Sequence, residues 1–148
     1  MKSYKNLDIY LAYFGLIPFV FFSLCLILGY NDFLIFGNII KAISLYGVVI
    51  ASFMAGTHWG RQINLEPSST KIFIQLTSNL NAIIIWFGYL NLDPKNFILL
   101  LIAEFLVLLK VDYYFLKLNL ISTKYFKYIR LPITLCVVVS LTISWILI

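Results

Sequence analysis

The stretch KIFIQLTSNLNAIIIWFGYL, residues 71–90, decides how this chain folds, because it is the most polar of several long apolar segments. About 20 predominantly apolar residues are enough to cross the hydrocarbon core of a bilayer as a helix. Four polar side chains weaken that assignment here, namely Gln75, Ser78, Asn79 and Asn81. If the stretch crosses, the two ends of the chain lie on opposite sides of the membrane. If it does not cross, they lie on the same side.

The composition around this stretch is that of a membrane protein. Of the 148 residues, 62% are hydrophobic and 11% are charged, whereas soluble domains carry about 25% charged residues. A water-soluble fold of this length cannot bury so much apolar surface. We predict an all-α bundle of five transmembrane helices in one integral membrane domain, residues 1–148, with spans at 10–29, 39–60, 71–90, 96–116 and 131–148.

The eleven basic residues supply a test of the third span. With five spans, nine of them lie on the side of the N-terminus: Lys2, Lys5, Arg61, Lys71, Lys110, Lys117, Lys124, Lys127 and Arg130. The other side holds only Lys41 and Lys95, whereas four spans would divide the basic residues five to six. Because cytoplasmic segments are enriched in Lys and Arg, we predict five spans, a cytoplasmic N-terminus and a C-terminus outside. The net charge of +5 then reflects orientation in a lipid bilayer, and we expect no nucleic-acid partner.

Several polar side chains of the spans share one predicted depth, near the cytoplasmic ends of the helices. They are His58, Arg61, Gln75, Lys110, Asp112 and Arg130. One interpretation is an interfacial layer in which Asp112 pairs with Arg61 or Arg130 and His58 locks helix ends by hydrogen bonds. The other is a pocket, open to the cytoplasm, in which Asp112, His58 and an arginine bind an anionic headgroup or relay protons.

Glu104 is predicted to lie deeper than this layer. Helical rise places it roughly 12 Å from the outer end of the fourth span, inside the hydrocarbon. Its expected neighbours are the amides of Asn79 and Asn81 in the third span, or a hydroxyl such as that of Ser52 or Thr142. One interpretation is a protonated, neutral carboxyl that is hydrogen-bonded within the bundle. The other is a proton or cation site in a transport path.

The second span carries small residues at the spacing of a helix-packing motif. Ser52, Gly56 and Gly60 are four residues apart, which permits close contact between transmembrane helices. No motif typical of catalysis or of nucleotide binding is present. The single histidine supplies at most one metal or haem ligand. We therefore predict no metal and no cofactor, and we assign no catalytic residue.

Four features in chain order resemble one known family. They are GLIPFV at 15–20, YGVVIASFMAGTHWG at 46–60, Asp112 at the end of the fourth span, and YFKYIRLPIT at 125–134. This order is similar to that of the domain-of-unknown-function 3429 family, the transmembrane protein 69-like integral membrane proteins. The resemblance implies a small multi-spanning membrane protein of bacteria or mitochondria. It implies no activity, and Gly56, His58, Trp59, Asp112 and Arg130 carry over as motif members without assigned roles.

The same residues support three hypotheses about function. The first, which we prefer, is a non-enzymatic protein of the bacterial cytoplasmic membrane that supports or assembles a membrane complex, with a membrane-protein partner or a second copy of itself. The mitochondrial inner membrane is the alternative location. The second is a small transporter or proton-coupled carrier that uses Glu104 and the cytoplasmic polar layer. The third is an enzyme that modifies lipid headgroups with Asp112 and His58. The candidate groups are few and scattered, which favours the first hypothesis.

Overall fold

Helices account for nearly all of the regular structure. The computed structural model describes residues 7–63 and 65–148, so Lys2 and Lys5 of the charge count lie outside the described residues. The helices are α1 Leu7–Phe14, α2 Ile17–Ile27, α3 Ile39–Arg61, α4 Ser69–Asn91, α5 Pro94–Lys117, α6 Thr123–Tyr125 and α7 Leu131–Leu147, with a π-helical turn at Phe126–Arg130 between α6 and α7. In the segment between α2 and α3, the two-residue strands Asp32–Phe33 and Gly37–Asn38 pair antiparallel. Each of the five segments predicted as spans coincides with helical structure.

Side-chain caps fix where the long helices begin. The side chains of Asn38, Ser68 and Asp93 each accept a hydrogen bond from the backbone N–H three residues later, at 3.0, 3.2 and 3.2 Å. Such caps satisfy N–H groups that the first turn of a helix leaves unpaired. At Asp93, which lies outside the long helices, the backbone N–H of Asn96 and then its side-chain amide lower the pKa of the carboxyl. These three caps therefore fix the first residues of α3, α4 and α5.

The first apolar segment is broken in its middle. Helix α1 ends at Phe14, and α2 begins at Ile17 with Pro18 in its first turn. Because proline has no N–H and its ring clashes with the preceding turn, it is tolerated at a helix start but not in a helix interior. The Tyr46 hydroxyl donates a 3.0 Å hydrogen bond to the carbonyl of Gly15 at the break. A side chain of α3 therefore satisfies a backbone group that the break frees.

The lengths and surfaces of the helices confirm the prediction of an all-α protein of the membrane class. Within the described part of the chain, four stretches are long and apolar enough to cross a bilayer: Ile9–Ile27, Ile39–Arg61, Ser69–Asn91 and Thr123–Leu147. Helix α5 has 24 residues and carries Glu104, Lys110 and Asp112 within its apolar sequence. Large apolar side chains cover the outer surface of the bundle. On α4 alone the exposed ones include Ile72, Phe73, Leu76, Leu80, Ile83, Trp86, Phe87 and Leu90.

The core lies where α2, α3, α5 and α7 meet. Helix α3 packs against α2, α4 and α5, and α7 packs against α2 and α5. Phe19 of α2 is fully buried between Tyr46 of α3 and Phe105 of α5, with ring centroids 5.0 and 5.8 Å apart. Such edge-to-face pairs are favourable beyond the area that they bury. Helix α5 is thereby enclosed by protein on several sides.

The close-packing face of α3 differs from the predicted one. Gly56 and Gly60 are exposed, and a Cβ atom at either position would have no neighbour within 4 Å. The buried face of the helix instead carries Gly47, Ala51, Ala55 and His58. Within the described residues, the close helix contact of α3 therefore uses a different face from that of the predicted motif Ser52, Gly56 and Gly60. Each residue turns an α-helix by about 100°, so neighbouring positions point to different faces.

Candidate functional site

Asp112 is the centre of a buried charged cluster. Its side chain is 0% exposed. One carboxylate oxygen, Oδ1, lies 3.1 Å from His58 Nε2 and accepts a 3.3 Å hydrogen bond from Arg61 Nη1. The other, Oδ2, accepts a 2.5 Å hydrogen bond from Arg130 Nε. Both oxygens of the carboxylate are thus engaged by protein groups, as burial of a charged side chain requires.

Three separate elements bring these four side chains together. His58 and Arg61 are three residues apart in the last turns of α3, so they project from the same face. Asp112 lies in the second half of α5. Arg130 ends the π-helical turn that leads into α7. Because π-helical turns are rare and occur often at functional sites, this wide turn marks Arg130 as a specially placed side chain.

Aromatic rings complete the walls of the cluster. The Phe115 ring packs edge-on against the His58 imidazole, with ring centroids 5.1 Å apart. The Arg61 guanidinium lies 5.7 Å from the centroid of Phe115 and 5.5 Å from that of Tyr125. Both distances are in the range of cation–π attraction. Arg61 nevertheless keeps 26% of its side chain exposed, so it is the accessible member of the cluster.

The cluster carries more positive than negative charge. The two guanidinium groups of Arg61 and Arg130 face one carboxylate, which leaves one positive charge when His58 is neutral. The remaining contact of Arg130 is weak, because Nη1 donates to the thioether sulfur of Met54 at 3.4 Å. The arrangement can therefore do two things: it can lock three helix ends together, and it can attract an anion.

A second polar contact, next to the cluster, ties α3 to α4. Gln75 Nε2 donates a 3.1 Å hydrogen bond to Gln62 Oε1, and Gln62 is buried. The Ser78 hydroxyl donates to the carbonyl of Ala55 at 2.6 Å. Sequence reasoning missed Gln62 because it follows the end of the predicted span. Its position four residues after His58 was the available signal, since such residues share a helix face.

Glu104 lies apart from the cluster with an unpaired carboxyl oxygen. Its side chain is 5% exposed, and Oε2 has no hydrogen-bond partner among the described residues. The same holds for Nδ2 of Asn81 and for the hydroxyl of Ser44. Along the interface between α4 and α5, Gly88 contacts Leu100, while Ile74 packs with Val111 and Phe115. Interpolation between these contacts places Asn81 at the level of Glu104.

The structure therefore divides the predicted site residues into three groups. His58, Arg61, Asp112 and Arg130 lie together. Glu104 is buried elsewhere in the bundle. Asn79 is exposed, and its amide donates to the Gln75 carbonyl of its own helix at 3.0 Å. Its placement beside Glu104 is wrong, and Asn81 occupies the buried face of α4 instead. Among residues 7–63 and 65–148, no group of three or more His, Cys, Asp and Glu side chains is arranged to hold a metal ion.

The fold and this cluster define a small all-α membrane protein with charged groups buried among its helix ends. The sequence model described as "Protein of unknown function (DUF3429)" matches residues 4–146. The chain belongs to this family, which confirms the resemblance seen in its sequence. No curated protein and no solved structure matches the chain.

Proposed function

We propose that the chain crosses a bacterial cytoplasmic membrane five times, with a cytoplasmic N-terminus and its C-terminus outside. Two observations support α5, the fourth predicted span, as a further crossing besides the four stretches that are long and apolar enough. It is long enough at 24 residues, and its two acidic side chains, Glu104 and Asp112, are buried against protein rather than turned toward lipid. The charge of Asp112 is moreover matched by two arginines, which removes the main obstacle to placing it in a membrane.

Reporter fusions test this topology. We expect a reporter that is active only in the cytoplasm to work at the N-terminus and to fail at the C-terminus, because five crossings separate the two. A reporter that is active only outside should give the reverse pattern. Activity of one reporter at both termini would contradict the five-span arrangement. A fusion after Pro67, in the segment between α3 and α4, serves as an internal control on the cytoplasmic side.

We further propose that the protein supports or assembles a membrane complex and catalyses no reaction itself. The observation that carries this proposal is the engagement of Asp112. A general base or nucleophile needs an oxygen that a substrate can reach, whereas both oxygens here are held by His58, Arg61 and Arg130 in a fully buried position. The cluster has the geometry of a clamp between helices. The hypothesis of a headgroup-modifying enzyme requires Asp112 to be accessible, so the geometry favours it least.

Affinity purification of the full chain in a mild detergent tests the support role. We expect larger membrane proteins to co-purify with it and to be lost when the detergent is made harsher. Homo-oligomers alone would assign the exposed apolar faces to contacts between copies. A monomer that carries only lipid would contradict the support role. The Asp112→Asn variant, which loosens the clamp, should retain fewer partners than the wild type.

A second candidate function, a proton-coupled carrier, is favoured by one observation. Glu104 Oε2 and Asn81 Nδ2 are buried without partners among the described residues. Buried polar groups are normally satisfied, and an exception inside a membrane protein marks a candidate site for a proton, a cation or a bound water. Ser44, also unpaired, borders a cavity of about 400 Å³ that Lys41, Tyr89 and Pro94 line at one end of the bundle.

The substitution Glu104→Gln separates the two functions. Glutamine has nearly the same shape as a protonated glutamate, so we expect the melting temperature and the co-purified partners to be unchanged. Proton flux into proteoliposomes that hold the wild type should equal that of protein-free liposomes if support is the role. Flux that is present in the wild type and abolished by Glu104→Gln would establish the carrier instead. Glu66→Gln, at an exposed acidic residue, is the matched control.

A further inference from the structure

An apolar groove reaches from the middle of the bundle to the charged cluster. Its volume is about 450 Å³, and residues of α1, α2, α3, α5, α7 and the π-helical turn line it. On α3 the lining extends from Ile50 to Thr57, a distance of roughly 10 Å by helical rise. Leu11 and Phe53, at its edge, are 60% and 66% exposed. The groove is therefore open sideways, toward the lipid that surrounds the bundle.

One end of this groove is positively charged. Among its described lining residues, Arg130 is the one charged side chain, and it lies beside Tyr125 at the end nearest the cluster. The guanidinium of Arg61 also packs over the Tyr125 ring, 5.5 Å from the ring centroid. Arg61 is not itself a lining residue, but it contacts Tyr125 and shares Asp112 with Arg130, so it lies next to this end of the groove. The remainder of the lining is apolar apart from two threonine hydroxyls, Thr57 and Thr134.

The charges at this end are not balanced by protein groups. Arg61 and Arg130 share a single carboxylate, that of Asp112. Arg61 is partly exposed, and the Nη1 group of Arg130 donates only to a thioether sulfur. A phosphate oxygen accepts hydrogen bonds far better than a thioether does, and guanidinium groups pair with phosphate in bidentate geometry. The groove thus joins an apolar channel to an unsatisfied anion site.

We propose that this groove binds an anionic phospholipid, with an acyl chain along the channel and the phosphate against Arg61 and Arg130. The charge excess selects an anionic headgroup, and the apolar walls select an acyl chain over a free phosphate. The inference goes beyond the proposed function, since a protein that assembles a complex need not bind a particular lipid. The clamp around Asp112 then has two effects. It holds helices together, and it leaves one positive charge beside the groove.

A second apolar groove on the same protein supplies a matched comparison. It is larger, about 770 Å³, and lies among α2, α3 and the segment between them, with Pro18, Phe36, Ala42 and Val49 in its lining. None of its described lining residues is charged. The two grooves are therefore distinguished by the charge of their lining residues and not by their apolar volume. A lipid in the second groove would show no preference for an anionic headgroup.

Native mass spectrometry of the full chain in a neutral detergent tests the proposal. The probes are phosphatidylglycerol, phosphatidylcholine with the same acyl chains, and glycerol phosphate, which has the anionic group without acyl chains. We expect phosphatidylglycerol to bind at least about tenfold tighter than phosphatidylcholine, because both lipids carry the phosphate but the excess positive charge of the cluster repels the choline ammonium. Glycerol phosphate should show no binding at the same concentrations. Equal binding of the two lipids, or competition by glycerol phosphate, would overturn the proposal.

Two pairs of variants locate the site. Arg61→Gln should weaken phosphatidylglycerol binding about tenfold, whereas Lys117→Gln, at a cation that lies 4.9 Å from the Tyr113 ring, should leave it within about twofold. Ala12→Trp should fill the groove and remove the lipid preference, and Ala42→Trp should fill the second groove and keep it. If the two variants of either pair lost lipid binding equally, the loss would be a general effect of surface charge or of apolar bulk, and the proposal would be wrong. Melting temperatures measured in phosphatidylcholine verify that each variant folds. If Arg61→Gln does not fold, the comparison of Ala12→Trp with Ala42→Trp tests the proposal.

Discussion

Replacing Asp112 with leucine is expected to lower the free energy of unfolding by about 3–5 kcal/mol, the scale for removing one partner of a buried ion pair. The substitution leaves the buried Arg130 without its 2.5 Å contact and removes the acceptor that His58 and Arg61 share. The lost contacts join α3, α5 and the turn before α7, so the effect reaches three elements. Unfolding by a denaturing detergent in mixed micelles, followed by far-ultraviolet circular dichroism, measures it.

A control variant and a double variant accompany this substitution. The control, Asp93→Asn, changes the exposed acidic cap at the start of α5 to an equally good capping residue, so the free energy of unfolding should stay at the wild-type value. The double variant Asp112→Leu with Arg130→Met should recover part of the loss, because it removes a buried charge that the single variant leaves unpaired. A single variant as stable as the wild type would show that the cluster does not hold the helices together.

The common depth of the cluster could be predicted from the sequence. Helical rise is nearly constant along a span, so the count of residues from each span end placed His58, Arg61, Asp112 and Arg130 at one level. The expense of burying charge in a membrane then predicted that opposite charges would meet. The structure shows the contacts of all three basic groups with Asp112, where the sequence offered Arg61 and Arg130 as alternatives.

The direction in which each side chain points was harder to predict. In α3 and α4 small and polar residues lie on more than one face, so their pattern does not show which face points inward. The prediction chose Gly56 where the packing face carries Ala55, and it turned both Asn79 and Asn81 toward Glu104 although Asn79 is exposed and Asn81 buried. An error of one or two residues turns a side chain from protein to lipid. The direction of these side chains is determined by contacts between helices that are distant in sequence.

The packing of α3 against α5 gives the second large expected effect. A Cβ atom added at Gly47 would lie 2.6 Å from Cδ1 of Leu101, whose fully buried side chain can make room only by displacing its packed neighbours. Gly47→Val should therefore force the two helices apart and lower the free energy of unfolding by about 1–3 kcal/mol, as overpacking of a core does. The same unfolding titration in mixed micelles measures the change.

Gly56→Val is the matched control, because it makes the same chemical change nine residues later on the same helix. A Cβ atom at Gly56 meets nothing within 4 Å, so the valine side chain extends toward lipid and the expected change is within about 0.5 kcal/mol. The pair decides which face of α3 packs against protein. If Gly56→Val were the more damaging substitution, the small-residue motif at Ser52, Gly56 and Gly60 would be the true contact face, and α3 would be rotated about its axis relative to the structure described above. His58 would then turn away from Asp112, and both the clamp and the lipid site next to it would be lost.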